Sequence, residues 1–268
     1  QGGFAKCYEM KDIKTSKVYA GKIILKSTLT KGNQIEKILR EVELHSCLNH
    51  KNVVGFHSFF EDSTSVYMVL EMCSRKSLVH VLKRRKSLTE PEVRYYMHHL
   101  TNGVKYIHNQ KIIHRDLKLG NMLLNSSMHL KIADFGLATK IEFEGEKKMT
   151  VCGTPNYIAP EVLQKVGHSY EADIWAMGCV MYALLCGRPP FETSSLKETY
   201  LRIVTNKFSI PPHISMTARN LIKRLLSEAS NRPALEKISN DNFFFDGFFP
   251  EELSPATCDS PPKFPLLS

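Results

Sequence analysis

The sequence predicts an α+β chain in two lobes: a small antiparallel β-sheet carrying one main helix, then a larger, mainly helical lobe. β-branched runs bracket a single helical repeat in the first seventy or so residues, whereas from Ser74 onward helical periods dominate and strands become short. The 268 residues accommodate two packed lobes, and 43% hydrophobic with 24% charged residues suits a chain that buries a sizeable core. Wholesale disorder is thereby excluded. The expected boundaries are 1–73 for the first lobe, 74–246 for the second and 247–268 for a C-terminal tail.

Val18 to Ile24 and Val66 to Met72 are β-branched runs of strand length. Between them Ile35, Ile38, Leu39 and Val42 recur at helical spacing, which predicts a helix from Gln34 to about Leu48. In the second lobe, Thr89-Glu90-Pro91-Glu92 sets a capping hydroxyl before a proline and acids and so starts a helix running through Pro91 to His108. Glu171 to Cys186 is a second helix. Its apolar part, Ile174 to Cys186, falls short of the roughly 20 residues of a membrane span and reads as a buried helix. No repeat or low-complexity block precedes Ser254 to Ser268, whose Pro and Ser content predicts a tether.

Lys plus Arg 36 against Asp plus Glu 27 gives a net charge of +9, which suits an anionic ligand, an acidic peptide, nucleic acid or a membrane surface. Lys83-Arg84-Arg85-Lys86 is either an exposed loop or a basic patch. The seven cysteines are odd in number and scattered without a Cys-x-x-Cys pair, so zinc and redox motifs are excluded and a reducing compartment is expected. His98 and His99 have no metal-ligand spacing. The chain opens at Gln1-Gly2-Gly3-Phe4 without a signal peptide and inside a motif, so its true N-terminus is expected to lie upstream.

His114-Arg115-Asp116-Leu117-Lys118-Leu119-Gly120-Asn121 sets a carboxylate, an ammonium and an amide at fixed offsets on one loop. Phosphoryl transfer needs these types: Asp116 to accept or orient a hydroxyl, Lys118 to offset charge on the moving group, Asn121 to ligate Mg²⁺. Asp134-Phe135-Gly136 follows the strand-like run Leu130 to Ala133, and Asp134 supplies a second hard oxygen site. Period-two geometry puts Ala20, Lys22 and Ile24 on one strand face, and Glu41 on the following helix is positioned to hold Lys22 against phosphates. Taken alone, Lys22 and Glu41 read as ordinary surface charges. Gly2, Gly3, Phe4 and Ala5 look like either the end of a glycine-rich phosphate-covering loop or a plain hairpin turn. Arg232 is available to pair with Glu161, and Asp173 either caps its helix or braces the 114–121 loop.

This ordered set, through Ala159-Pro160-Glu161, resembles the protein kinase family over nearly the whole chain. Lys118 and Gly153-Thr154-Pro155-Asn156-Tyr157 look like the serine/threonine class. Gly3-Phe4-Ala5-Lys6-Cys7, Asp116 to Asn121 and Pro189-Pro190-Phe191-Glu192-Thr193 are similar to polo-like kinases. The resemblance implies a two-lobed kinase fold, ATP and Mg²⁺, with Asp116 as catalytic base, Asn121 and Asp134 as metal ligands and Lys22 as phosphate anchor. It implies an adenine site in which Glu71 and Cys73 offer backbone contacts beside Leu70, and Cys7, Ala20 and Leu123 sandwich the ring; the family commonly has phenylalanine where Leu123 stands. Thr150 falls where such kinases are phosphorylated by an upstream kinase, with Arg115 as the expected phosphate partner. Protein substrates with acidic residues near the acceptor, a monomeric domain without nucleic-acid or membrane partners, a mitotic role, and a cytoplasmic, nuclear, centrosomal or spindle location are further expectations of the likeness. The alternatives are a pseudokinase scaffold and a basic nucleic-acid-binding module.

Overall fold

A computed structural model describes residues 5–29 and 33–264, so Gly2, Gly3 and Phe4 lie outside the described residues. β1 (Ala5–Lys11) and β2 (Val18–Leu25) form a hairpin, α1 (Asn33–Ser46) follows, and β3 (Phe56–Glu61) and β4 (Ser65–Glu71) complete an antiparallel sheet in the order β1-β2-β4-β3. Register sets Cys7 opposite Lys22, Lys22 opposite Met68 and Ala20 opposite Leu70. Alternation then drives Ile24, Val66 and Met68 into a small apolar core, against which Ile38 and Val42 of α1 pack.

The second lobe begins with α2 (Leu78–Arg85) and α3 (Glu90–Asn109). Glu92 Oε2 accepts from both the backbone N–H and the hydroxyl of Thr89, at 2.9 and 2.8 Å, the helix start that the sequence pattern predicts. Three short pieces follow: β5 (Ile112–Ile113), paired with β8 (Thr139–Lys140), and β6 (Met122–Leu124), paired with β7 (Leu130–Ile132). These ladders clamp the 114–121 loop and Asp134 between them. Next come α4 (Pro160–Leu163), α5 (Glu171–Cys186), α6 (Leu196–Val204), α7 (Met216–Leu225), α8 (Leu235–Ser239) and α9 (Asn242–Phe245). Every residue from Ala172 to Leu185 is buried, so α5 is the axis of a core far larger than that of the first lobe. Among the described residues no helix is long and apolar enough to cross a membrane.

Two expectations need correction. The tail is not a tether over its described length: Leu253, Thr257 and Cys258 are buried, Phe264 packs at a tilt on Phe248 with ring centres 5.1 Å apart, and Asp259 pairs with Arg84 at 2.8 Å. Scattered apolar residues among prolines find a groove on α2 and α3, which composition does not encode. The Lys83–Lys86 tetrad is not a uniformly exposed loop either. It closes α2, and the Arg85 side chain is only 3% exposed, forked onto Glu92 at 2.7 and 2.8 Å.

Candidate active site

Lys22, on β2, reaches Glu41 Oε1 of α1 at 2.6 Å and Asp134 Oδ1 at 3.6 Å. The cation therefore ties the sheet, the helix and the 134–136 turn together at one point. Burial opposes its charge, but Glu41 and Asp134 outweigh that and hold the Lys22 ammonium above its ordinary pKa. Burial likewise raises the Glu41 carboxyl, only partly offset by Lys22. For Asp134, burial also pushes upward, yet Lys22 and the Gly136 N–H, at 3.2 Å, leave its carboxyl below the ordinary range and ionised at neutral pH. A Cβ on Gly136 would stand 3.2 Å from Asp134 Oδ1 and 3.3 Å from Glu41 Oε2, so any larger residue would have to displace one of these two carboxylates slightly.

The 114–121 loop is held from below. Asp173, at the start of α5 and 1% exposed, accepts from the backbone N–H of His114 and of Arg115, each at 2.9 Å, and contacts His108 Nε2 at 2.8 Å. It braces the loop. Burial alone would raise this carboxyl, but His108 and the neighbouring donors keep it depressed. The brace holds Arg115 at φ 66°, a left-handed conformation that non-glycine residues seldom adopt, and Asp134 shares it at φ 64°. His114 Nε2 contacts the Ala133 carbonyl at 3.0 Å, joining the loop to the Asp134 turn.

Asp116 is the hub of the loop. Its Oδ2 lies 2.8 Å from Lys118 Nζ and 3.2 Å from Asn121 Nδ2, and its Oδ1 accepts from the Thr154 hydroxyl at 2.7 Å. Lys118 donates to the same hydroxyl at 2.6 Å. Asn121 spends its amide nitrogen on Asp116, whereas its Oδ1 accepts no hydrogen bond among the described residues; nor does Asp134 Oδ2. Two hard oxygens left without a protein donor, one of them on the carboxylate beside Lys22, are the donors a Mg²⁺ carried by phosphates takes, so these residues fit such an ion. No group of three His, Cys, Asp or Glu side chains among the described residues would hold a metal without such help.

Ala5 begins β1 opposite Ile24, and Cys7, Ala20 and Leu70 sit on neighbouring strands. Leu123, half-buried on β6, bridges to Ser77 across the start of the helical lobe. Glu71 turns its carboxylate away to Lys131, at 2.8 Å, and the Gly55 N–H, at 3.0 Å, leaving only backbone for a ligand. Burial, with Glu71 beside it, pushes the Cys73 thiol up to about 12, so it stays protonated. Thr150 is exposed. Arg115 donates to the Leu137 carbonyl at 2.7 Å and has no carboxylate partner among the described residues. Arg232 and Glu161 form a buried fork at 2.6 and 2.9 Å.

Sequence reasoning missed two participants. Thr154 entered only as a class marker, since nothing local tells a hydroxyl 38 residues downstream that it will meet Asp116. Arg40, next to Glu41, donates to Thr139 at 2.8 Å and its charge bears on Arg115; only the three-dimensional approach of α1 to β8 reveals it.

The protein kinase domain profile matches residues 1–244. The chain belongs to the protein kinase family. The kinase is 54% identical over 268 residues to serine/threonine-protein kinase PLK1 of Xenopus laevis, covering 99% of this chain and 45% of that protein. It is 52% identical to serine/threonine-protein kinase PLK2 of Mus musculus, across all of this chain and 39% of the relative, and 51% identical to serine/threonine-protein kinase polo of Drosophila melanogaster, across 96% and 45%. The likeness to polo-like kinases thus holds over nearly the whole chain. The kinase spans less than half the length of these curated relatives. Protein kinases use ATP, typically with Mg²⁺, and act on proteins.

Proposed function

We propose that this chain transfers the γ-phosphate of ATP to serine or threonine hydroxyls of proteins, and that it does so within polo-type control of the cell cycle. The observation that carries the reading is a pair of linked clusters, Lys22 with Glu41 and Asp134, and Asp116 with Lys118 and Asn121, tied together where the Ala133 N–H donates to the Asn121 carbonyl at 2.9 Å. Lys22, fixed by Glu41, holds the α- and β-phosphates. Asn121 Oδ1 and Asp134 would hold the Mg²⁺, which supplies charge neutralisation to the phosphates. Asp116 orients the acceptor hydroxyl and takes its proton, while Lys118 offsets charge on the transferred group. Catalysis rests on placement and electrostatics. The adenine lies between Cys7 and Ala20 on one side and Leu123 on the other, beside Leu70, against the backbone of Glu71 and Cys73.

The reading extends to regulation. An upstream kinase phosphorylates Thr150, and the phosphate is received by Arg115 and Arg40, two guanidiniums without carboxylate partners among the described residues. Because Arg40 adjoins Glu41, the phosphate would reinforce the Lys22 pair. Acidic residues near the acceptor suit the +9 chain, which acts as a monomer in cytoplasm and nucleus, at centrosomes and spindle.

Incubation with labelled ATP, Mg²⁺ and casein tests the activity. Label should enter casein, and Asp134→Asn should lower incorporation at least about a thousandfold without lowering the melting temperature. Equal incorporation by wild type and Asp134→Asn, or none by either, would return the chain to a scaffold role. Thr150→Val should bind ATP normally yet stay at basal activity after exposure to an upstream kinase.

A further inference from the structure

Between α7, α8 and the start of α9 runs an open polar groove of about 530 Å³. α7 turns Ala218, Leu221, Ile222 and Leu225 into the core, which leaves Thr217, Asn220, Lys223 and Arg224, at helical spacing, to form one wall of the groove. Lys237 of α8 and Asn242 of α9 stand on the other side. No residue of the groove belongs to the cleft, and the two are served by different parts of α5. Its start braces the 114–121 loop through Asp173, whereas α7 packs on its middle at Gly178.

The charges in the groove are unbalanced. Its one acid, Asp241, is taken by Arg224, while Lys223 and Lys237 are exposed and have no carboxylate partner among the described residues. The side-chain amides of Asn220 and Asn242 likewise make no hydrogen bond among the described residues. Two free ammonium groups and two idle amides therefore line one recess. One end of it is apolar: Thr217 donates to Asp246 at 3.2 Å, and the residues just before each, Met216 and Phe245, are 70% and 71% exposed. A second copy would bring the same cations to a chain already at +9. Nucleic acid would leave the apolar end unused, and anionic lipid is met by protruding clusters of about four to eight basic residues, not by two lysines in a recess. An extended acidic peptide matches all three features, with carboxylates for the lysines, backbone for the amides and one apolar side chain for Met216 and Phe245.

We propose that the α7–α9 groove anchors a partner protein through an extended acidic segment, holding the chain at that partner without presenting a hydroxyl to Asp116. The anchor goes beyond the kinase reading and stands whether or not the chain transfers phosphate, because the groove and the cleft share no residue.

Fluorescence anisotropy on the full chain tests it with three labelled peptides of about ten residues: glutamates around one phenylalanine, the same with glutamine for glutamate, and the same with serine for phenylalanine. The first should bind at least about tenfold more tightly than the glutamine peptide and about threefold more tightly than the serine peptide. Lys223→Glu and Lys237→Glu should each weaken the first peptide about tenfold, and the milder Lys223→Gln about threefold, with melting temperatures as controls for folding. Phe245→Ser should abolish the advantage of phenylalanine over serine. Lys14→Glu makes the same charge change on the exposed β1–β2 turn and should alter binding less than about twofold, since salt screens charges that far apart. Turnover of a short neutral serine peptide should be the same in Lys223→Glu as in wild type. Four results overturn the proposal: the glutamate and glutamine peptides bind alike; Lys14→Glu weakens binding as much as Lys223→Glu, which would leave only net charge; a single-stranded oligonucleotide or phosphatidylserine vesicles bind through Lys223 and Lys237 while the glutamate peptide does not; or wild-type chain self-associates in sedimentation and Lys223→Glu disperses it.

Discussion

Thr154 Oγ1 donates to Asp116 and accepts from Lys118, so one hydroxyl sets the separation of the two charges that flank an incoming acceptor. Thr154→Ala should lower kcat about 10- to 100-fold, the worth of a hydrogen bond to a charged group, while KM for ATP stays within about twofold. Thr154→Ser should restore most of the rate; failure of serine to do so would show that the methyl group, not the hydroxyl, matters. A second residue-scale effect lies behind the cleft. His45, 1% exposed, directs Nε2 at the Val54 carbonyl, 2.7 Å away, and packs on Phe135, with ring centres 4.6 Å apart. Burial lowers its pKa to about 4 against the opposing hydrogen bond to the Val54 carbonyl, with Lys22 and His114 adding to the depression and Asp134 opposing it slightly. Its folded pKa lies below the unfolded value of 6.5, so the folded state binds fewer protons between the two. Stability is complete above pH 6.5 and is lost as pH falls toward 4. The expected loss is about 2 kcal/mol by pH 5. Urea unfolding at pH 7 and pH 5 measures it, and His45→Gln, which keeps a donor for Val54, should flatten the difference.

Among the elements, periodicity and capping locate the helices well because each signal is local. The Thr89–Glu92 start of α3 and the apolar run of α5 need no distant partner to be recognised. The short ladders β5–β8 and β6–β7 are different, since two- and three-residue strands have no period to detect. α5 also holds a constraint that composition conceals: a Cβ on Gly178 would stand 2.8 Å from Leu225 Cβ and 2.9 Å from Leu226 Cδ2 on the α7 side. Gly178→Ala gains about 1 kcal/mol of helix propensity but must push two packed elements apart. We expect a net destabilisation of about 1–3 kcal/mol, seen as a lower denaturation midpoint at unchanged slope; a stabilised variant would mean that α7 yields freely.

For the whole molecule, the site was legible because ordered motifs on separate segments carry one chemistry: Lys22, Glu41, Asp116, Asn121 and Asp134 are each unremarkable alone and meet only when the lobes close on one another. Thr154, Arg40 and the course of the tail were hidden for the same reason, being tertiary contacts without a local signature. The tail allows the sharpest test at this scale. Leu253, Thr257 and Cys258 are buried against the lobe, and the Thr257 carbonyl accepts from Arg85, the guanidinium already forked onto Glu92. Arg85 links α2 to the start of α3, so losing the tail also exposes a buried ion pair that holds two helices together. A chain ending at Glu252 should therefore lose about 3 kcal/mol, from the leucine and cysteine burial alone, and melt about 5–10 °C lower. Melting unchanged by that truncation would show that the tail merely rests on the lobe, whereas a matching loss in Arg85→Met at full length would place the effect in the α2–α3 link.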